Sequence, residues 1–181
     1  AVVAEGFEAG GHNGREETTT FTLIPMVKEQ LNIPLIAAGG IATGRGMLAA
    51  MVLGADAVQV GSRFVASNES SAHEAFKKVV VDAKDGDTQL TLKELAPVRL
   101  IKNKFFNDVQ ELYSKHPSVD DIKTLLGRAR AKKGMFEGDL DEGELEIGQI
   151  AGLIHDIKPA ATILNDMITE FNEAKKEMAN L

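Results

Sequence analysis

A histidine embedded in glycines is the first residue of this sequence whose setting points to chemistry. His12 follows Gly10 and Gly11, in a loop after residues 1–7, which begin with the apolar run AVVA and which we predict to form a strand. An imidazole near neutral pH acts as a base, an acid or a hydrogen-bond donor. Glycines beside it let a ligand approach the backbone closely. We therefore predict that His12 is a catalytic residue at the carboxyl end of a strand.

Two glycine turns after successive apolar runs form the second chemical feature. The run 35–38 ends at Gly39 and Gly40, and the run 57–60 ends at Gly61. Turns of bare backbone at the ends of neighbouring parallel strands present N–H groups side by side, and such groups bind phosphate. In β/α barrels the loops after the seventh and eighth strands hold phosphate groups. We favour a phosphate site here, and two plain tight turns are the alternative.

The elements that must position these residues alternate between strands and helices. We predict a helix over residues 21–31, capped by a preceding threonine, and a second helix over residues 47–53. This order indicates an α/β fold with a parallel sheet. Because a complete barrel takes about 250 residues, we predict that residues 1–84 are only the last three βα units of a TIM-like (β/α)8 barrel. The first strands would then belong to an N-terminal part of the barrel that this chain lacks.

The remainder, residues 85–181, predicts a mainly helical C-terminal region. We interpret the acidic segment 137–146 as a polar turn, since its carboxylates lack the spacing of a calcium loop. Segment 147–154 has two glycines and an alanine among aliphatic residues, which allows either close packing or contact with a ligand. From residue 70 onwards the pattern predicts helices over 70–83, 95–104, 107–115, 119–131 and 159–180.

Composition and charge exclude several classes of protein. The net charge of −7 over 181 residues argues against non-specific nucleic-acid binding. No apolar run reaches membrane-spanning length, and the absence of cysteine excludes disulfides and thiolate metal sites. We expect a cytoplasmic protein with no membrane partner and no metal. The other three histidines are predicted to be surface or capping residues: His73, His116 and His155. A group of basic residues is predicted to form a solvated face: Arg128, Arg130, Lys132 and Lys133.

Three motifs in this order resemble the nitronate monooxygenases and the related flavin-type enoyl-acyl-carrier-protein reductases. They are EAGGH at 8–12, AAGGI at 37–41 and VQVGSRF at 58–64, and the likeness continues more loosely at 138–140 and 148–153. The resemblance implies a TIM-like barrel that binds FMN, with a smaller, mainly helical domain over its mouth.

The resemblance also implies the roles of individual residues. His12 matches the active-site histidine of the family, and Gly10 matches a glycine beside the flavin. Glu5 stands where some members have glutamine. The phosphate of FMN is implied to lie against residues from both glycine turns, namely Gly39, Gly40, Gln59, Val60, Gly61 and Ser62, the last of which is usually threonine in the family.

Two reactions follow from the resemblance, and we predict the first. In nitronate monooxygenases the flavin oxidises an alkyl nitronate and the electrons pass to oxygen, while the histidine takes the α-proton of a neutral nitroalkane. In the reductases, NAD(P)H reduces FMN and an enoyl thioester is then reduced near the histidine. The tail is somewhat more similar to the reductases, and the resemblance also allows a homodimer. A non-redox phosphate-binding barrel enzyme is less favoured, because no lysine lies at the three strand ends.

Overall fold

A computed structural model of the chain describes residues 1–180. Its strands are β1 (Val2–Glu5), β2 (Gly11–His12), β3 (Leu35–Ala38), β4 (Ala57–Gln59), β5 (Thr88–Thr91) and β6 (Val98–Ile101). Its α-helices are α1 (Thr20–Lys28), α2 (Gly44–Val52), α3 (Ser62–Val65), α4 (Glu74–Asp82), α5 (Lys104–Ser114), α6 (Val119–Leu126), α7 (Arg130–Met135) and α8 (Ala160–Met178). A 3₁₀ helix covers Gln149–Leu153.

The first sheet is parallel, with the strand order β1-β3-β4. Ala4 pairs with Ala37, and Ala37 pairs with Val58 on the other side. Leu35 and Ala37 are fully buried, as expected for a central strand of a parallel sheet that is covered on both faces. The predicted α/β fold is confirmed, with α1 and α2 connecting successive strands.

Helix α1 begins differently from the prediction. Thr19 occupies the N-cap position, but its side chain makes no capping hydrogen bond. The Glu8 carboxylate instead accepts hydrogen bonds from the backbone N–H of Thr20, at 2.9 Å, and from the Thr20 hydroxyl, at 3.0 Å. A carboxylate at a helix N-terminus satisfies unpaired N–H groups and interacts favourably with the helix dipole. Glu8 thereby ties the His12 loop to α1.

A second, antiparallel sheet has the strand order β2-β6-β5. The prediction of a helix over residues 95–104 is wrong, because Val98–Ile101 form β6, and no strand was predicted at β5. All four residues of β6 are buried, so both of its faces are covered, a pattern that periodicity alone does not distinguish from a buried helix. Strand β6 pairs with the two-residue strand that carries His12.

The other predicted helices are present with shifted limits. The helix predicted over residues 119–131 is interrupted at Gly127, which has a φ of 63°, and so becomes α6 and α7. His73 is a capping residue as predicted, since its Nδ1 accepts a hydrogen bond from the Ala75 N–H at 3.1 Å. The C-terminal helix is confirmed, with Ile163, Met167 and Ala174 buried.

Helix α8 packs against α2. A side chain at Gly44 would collide with the Met167 carbonyl oxygen, and the Glu170 carboxylate accepts a hydrogen bond from the Gly44 N–H at 2.7 Å. This contact and the β2–β6 pairing both join residues 1–84 to the rest of the chain. The division into two domains at residue 84 stays a prediction. No helix within residues 1–180 has the length and apolar character needed to cross a bilayer.

Candidate functional site

A cavity of about 200 Å³, which we call the central cavity, lies at the carboxyl ends of the three parallel strands. Six of the residues predicted to bind a cofactor line it: Gly10, Gly39, Gly40, Gln59, Gly61 and Ser62. Val60 is not among its lining residues and packs instead on the apolar cluster around Ile24 and Leu35. The structure thus brings both glycine turns and the His12 loop to one place.

The turn after β3 has a backbone that favours glycine. Gly39 and Gly40 have φ angles of 88° and 69°, in the left-handed region that L-residues rarely adopt. A Cβ added at Gly39 would lie 2.7 Å from the Gly6 carbonyl oxygen. The Thr20 hydroxyl oxygen lies 2.9 Å from the Gly39 carbonyl oxygen and 3.0 Å from the Glu8 carboxylate, so its single hydrogen is shared between these two acceptors and links the turn to α1.

The two turns offer hydrogen-bond donors. Among residues 1–180, no protein acceptor pairs with the backbone N–H groups of Gly40 and Ile41 in one turn or of Gly61 and Ser62 in the other. A Cβ added at Gly61 would meet no atom within 4 Å, so this backbone borders open space. Unpaired N–H groups with no side chain in front of them are suited to an anion such as phosphate.

The Ser62 hydroxyl and Gly148 connect the second turn to the C-terminal half. The Gly148 N–H donates to the Ser62 hydroxyl at 3.0 Å. Because this hydroxyl accepts in that bond, its own hydrogen is available for another acceptor. A Cβ at Gly148 would lie 2.9 Å from both the Glu8 carbonyl oxygen and the Ser62 hydroxyl oxygen.

Segment 147–154 both packs in the core and lines a cavity, which are the two alternatives that the sequence left open. Ile147 and Ile150 line the central cavity. Ala151 and Ile154 are buried in the apolar core beside Phe76. A side chain at Gly10 would collide with the backbone of Ile147 and Gly148, so the close approach of this segment to the His12 loop requires glycine there.

His12 does not line the central cavity. It lies beside a second cavity of about 190 Å³, the side cavity, together with Leu92, Leu95, Ala96, Val98, Leu126, Gly127, Ala129, Arg130 and Glu144. The cause is the pairing of His12 with Val98, which places the end of the His12 loop in the antiparallel sheet. Gly10 lines the central cavity and His12 lines the side cavity, so residues only two positions apart in the sequence contribute to different cavities.

Two carboxylates near His12 were missed in the sequence. The acidic segment was interpreted as a polar turn, but Glu146 lines the central cavity and Glu144 the side cavity. Burial raises the pKa of both, the negative charge of Glu146 raises that of Glu144 further, and His12 acts in the opposite direction on each. The alternation of these glutamates with buried Leu145 and Ile147 was the available signal.

Two arginines hold the walls of the site. Arg99 is 1% exposed, donates to the Phe7 carbonyl at 2.8 Å and stacks on the Phe7 ring at 4.4 Å, so it fixes the loop that leads to His12. Burial lowers the pKa of Arg99, although an arginine remains charged at neutral pH. Arg130 was predicted to be solvated, which is wrong, because it donates to the carbonyls of Leu125 and Leu126 at 2.8 and 2.7 Å.

The residues of the central cavity fit a phosphate-bearing cofactor at one end. The N–H groups of the two turns and the Ser62 hydroxyl supply neutral donors around glycines that a side chain would obstruct. Met135, Ile147 and Ile150 add aliphatic side chains to the lining of the cavity, and Glu5 and Glu146 are its ionisable groups among the described residues. Burial raises the pKa of Glu5 as well.

Several solved structures share the fold of this chain. FabK from Thermotoga maritima is 44% identical, with a TM-score of 0.90, over 99% of this chain and 56% of that one. A nitroalkane oxidase from Streptomyces ansochromogenes is 30% identical, with a TM-score of 0.77, over 98% of this chain and 53% of that one. The enoyl reductase domain of MlnA from Bacillus amyloliquefaciens, at 14% identity and a TM-score of 0.73, shares the fold.

Sequence relatives agree with the structural ones. A probable nitronate monooxygenase of Staphylococcus saprophyticus is 36% identical over 95% of this chain, and one of Staphylococcus aureus is 34% identical over 96%. The chain spans about half the length of these relatives, 51% in each case. The family model for nitronate monooxygenase matches residues 1–170. On these grounds the chain belongs to the nitronate monooxygenase family and is related to oxidoreductases.

Proposed function

We propose that this chain forms the FMN-phosphate side of a flavin oxidoreductase that oxidises alkyl nitronates with oxygen. The observation that carries the proposal is the meeting of Gly39, Gly40, Gly61 and Ser62 around one cavity, with unpaired N–H groups in both turns. Membership of the nitronate monooxygenase family supports the same cofactor and reaction.

The residues that line the central cavity would have separate roles in binding FMN and in excluding water. The N–H groups of Gly40, Ile41, Gly61 and Ser62 and the Ser62 hydroxyl would hold the phosphate of FMN. When bound, FMN would supply the redox chemistry. Ile147 and Ile150 would keep water from the cavity, since both present aliphatic side chains to it.

His12 would handle the proton. An imidazole nitrogen of His12 takes the α-proton when the substrate is a neutral nitroalkane, and no base is required when the nitronate itself binds. His12 lines the side cavity, two positions along the chain from Gly10 in the central cavity, and this proximity supports contact with a substrate that lies against the cofactor. Arg99 would position the loop through its bonds to Phe7.

A second candidate is the reduction of an enoyl thioester by NAD(P)H through bound FMN. The observation that favours it is the higher identity to FabK than to the nitroalkane oxidase. Both candidates use the same cavity and His12, and they differ in the source and the destination of the electrons. A non-redox barrel enzyme gains no support from the family match.

We further propose that the parallel sheet is the end of a (β/α)8 barrel. Strands β1 and β4 each have one neighbour among the described residues, and Val3 is 46% exposed. Open strand edges and exposed apolar side chains of this kind are normally covered. The greater length of the relatives supports an N-terminal half of the barrel as the partner that covers them.

An absorbance spectrum of the full-length protein tests the cofactor. Flavin bands are expected, and a spectrum without them contradicts the proposal. Anaerobic addition of an alkyl nitronate is then expected to bleach the bands, whereas NADPH is expected to leave them unchanged. Bleaching by NADPH followed by turnover of an enoyl thioester would favour the second candidate.

A further inference from the structure

The side cavity has an apolar wall and a polar end. Leu92, Leu95, Val98 and Leu126 contribute aliphatic side chains to the wall, whereas the polar end consists of His12, Glu144 and Arg130. Its volume is about 190 Å³. Small-molecule sites commonly combine an apolar lining with a few polar groups that fix the orientation of the ligand.

The apolar wall is backed by the core. Leu92 and Val98 are 2% exposed and pack with Phe105, Val109 and Ile122. A wall that belongs to a packed cluster keeps its shape, since interiors are packed as densely as organic crystals. The cavity is therefore formed in advance of any ligand.

The side of the cavity formed by α6 and α7 is also fixed. Arg130 donates to the carbonyl oxygens of Leu126 and Glu142 and stacks on the Phe105 ring at 4.4 Å. Ala129, next to it, has a φ of 61°. Left-handed conformations of non-glycine residues cost free energy and occur often at ligand-binding sites. Because its donors are occupied by protein oxygens, Arg130 holds the wall in place.

His12 connects this wall to the central cavity. Gly10 lines the central cavity, His12 the side cavity, and a Cβ at Gly11 between them would lie 2.7 Å from the Glu146 carboxylate. A substrate whose reacting carbon lies at His12 has two directions for the rest of the molecule. One is toward the central cavity, which Gly10 lines, and the other is along the aliphatic wall of the side cavity.

We propose that the side cavity binds the linear aliphatic chain of the substrate and sets the preferred chain length. The inference rests on the proposed function, because it places the reacting carbon at His12. A dry cavity of about 150 Å³ lined by aliphatic and aromatic side chains accommodates benzene. The volume here is thus suited to a chain of about six carbons, and the class of substrate is an alkyl compound with a medium-length chain.

The test compares chain lengths in the flavin-loaded full-length enzyme. With linear nitronates of two to eight carbons, we expect kcat/KM to rise at least about tenfold overall up to six carbons and then to level off, as for methylenes added in an apolar pocket. Leu126→Phe fills part of the cavity and is expected to lower the ratio of kcat/KM for six carbons to that for two carbons at least about tenfold.

A neighbouring leucine provides the control. Leu125 lies on the same helix but lines the groove between α5 and α6 with Asp108 and Leu112. Leu125→Phe is expected to leave the chain-length ratio as in the wild type. An equal ratio in the wild type and Leu126→Phe, or a wild type with no dependence on chain length, would overturn the proposal.

A failure of the proposed function gives a different result. If nitronates are not consumed but NADPH bleaches the flavin, the ratio of kcat/KM for six carbons to that for four carbons is measured with enoyl thioesters. Leu126→Phe is expected to lower this ratio, and an equal ratio in the variant and the wild type would overturn the proposal. If no flavin is bound, 1-nitrohexane is titrated against protein with labelled Leu and Val methyl groups. Shifts at Leu92 and Val98 that weaken in Leu126→Phe would support the cavity, and unchanged spectra would overturn it.

Discussion

The hydroxyl of Ser62 accepts a hydrogen bond from the backbone N–H of Gly148 at 3.0 Å, across 86 residues of sequence. Ser62 follows the last parallel strand, and Gly148 precedes the 3₁₀ helix that closes the central cavity. This bond joins the proposed phosphate site to the segment that covers it. A change at either residue is therefore expected to affect both stability and cofactor retention.

Ser62→Ala tests this bond. The change leaves the buried Gly148 N–H without its acceptor, which costs about 1–3 kcal/mol of unfolding free energy. It also removes the hydroxyl proposed to contact phosphate, so we expect weaker FMN binding. The affinity is measured from the fluorescence of the free FMN that passes through an ultrafiltration membrane. Ser62→Thr retains the hydroxyl and is expected to restore both quantities. Equal FMN affinity in the alanine variant and the wild type would refute the phosphate contact.

His12→Ala tests the proton-handling role. We expect FMN to stay bound and turnover of a neutral nitroalkane to fall by roughly two to four orders of magnitude, the usual effect of losing an acid–base group. Turnover of the corresponding nitronate is expected to fall less, since its α-proton is already absent. His155→Ala changes an exposed histidine outside both cavities and provides the control. Unchanged nitroalkane turnover would exclude His12 as the base.

Gly40→Val tests the glycine turn. Gly40 has a φ of 69°, and a Cβ there would lie 3.3 Å from the Glu8 side chain. The left-handed backbone alone costs a non-glycine residue about 1–2 kcal/mol, and the branched side chain would also obstruct the proposed phosphate. We expect the purified variant to lack FMN, as measured by its absorbance.

The control separates strain from obstruction. Gly86 has a φ of 79°, but a Cβ there would meet no atom within 4 Å. Gly86→Val should therefore lose similar stability in thermal melts while keeping its flavin. Full FMN occupancy in Gly40→Val would contradict the assignment of this turn.

The glutamate pair predicts a dependence of stability on pH. Burial raises the pKa of Glu144 and Glu146 in the folded state, so the stability linked to these groups is present at low pH and is lost as the pH rises through the raised values. The double change Glu144→Gln and Glu146→Gln removes the buried charges. We expect its thermal midpoint to exceed that of the wild type at pH 7, because the cost of holding these charges in a partly buried place is removed.

The difference is expected to shrink as the pH falls, because both carboxylates are then protonated in the wild type. Glu173→Gln alters an exposed glutamate and should leave the midpoint unchanged at each pH. A double variant less stable than the wild type at pH 7 would show that attraction between the glutamates and His12 outweighs the cost of burial. Differential scanning calorimetry at several pH values measures the effect.

Local patterns were sufficient for the parallel half of the molecule. A short apolar run followed by glycines has few alternatives, so β3, its turn at Gly39 and Gly40, and the helix after it were predicted from adjacent residues. The order of three such units indicated which turns would meet. Parallel strands end at the same edge of their sheet, which is why Gly40 and Gly61 line one cavity.

Contacts between distant residues decided the rest. Residues 98–101 were predicted as helix because the sequence of a short segment does not show which strand it will pair with. Pairing with β2 makes these residues a strand. That pairing moves His12 to the side cavity. Glu144 and Glu146, in turn, are charged residues in a polar stretch of sequence. The bridge between Leu100 and Glu146 places Glu146 next to β6, the strand that pairs with His12.

The sequence by itself therefore determined the α/β alternation, the glycine turns and the residues capable of chemistry, because these depend on side chains within a few positions of one another. The tertiary structure decided which of these residues share a cavity. Long-range strand pairing and the burial of charged groups depend on contacts between residues that are far apart in the sequence, such as Arg99 and Phe7, which are separated by 92 in residue number. No local pattern encodes such contacts.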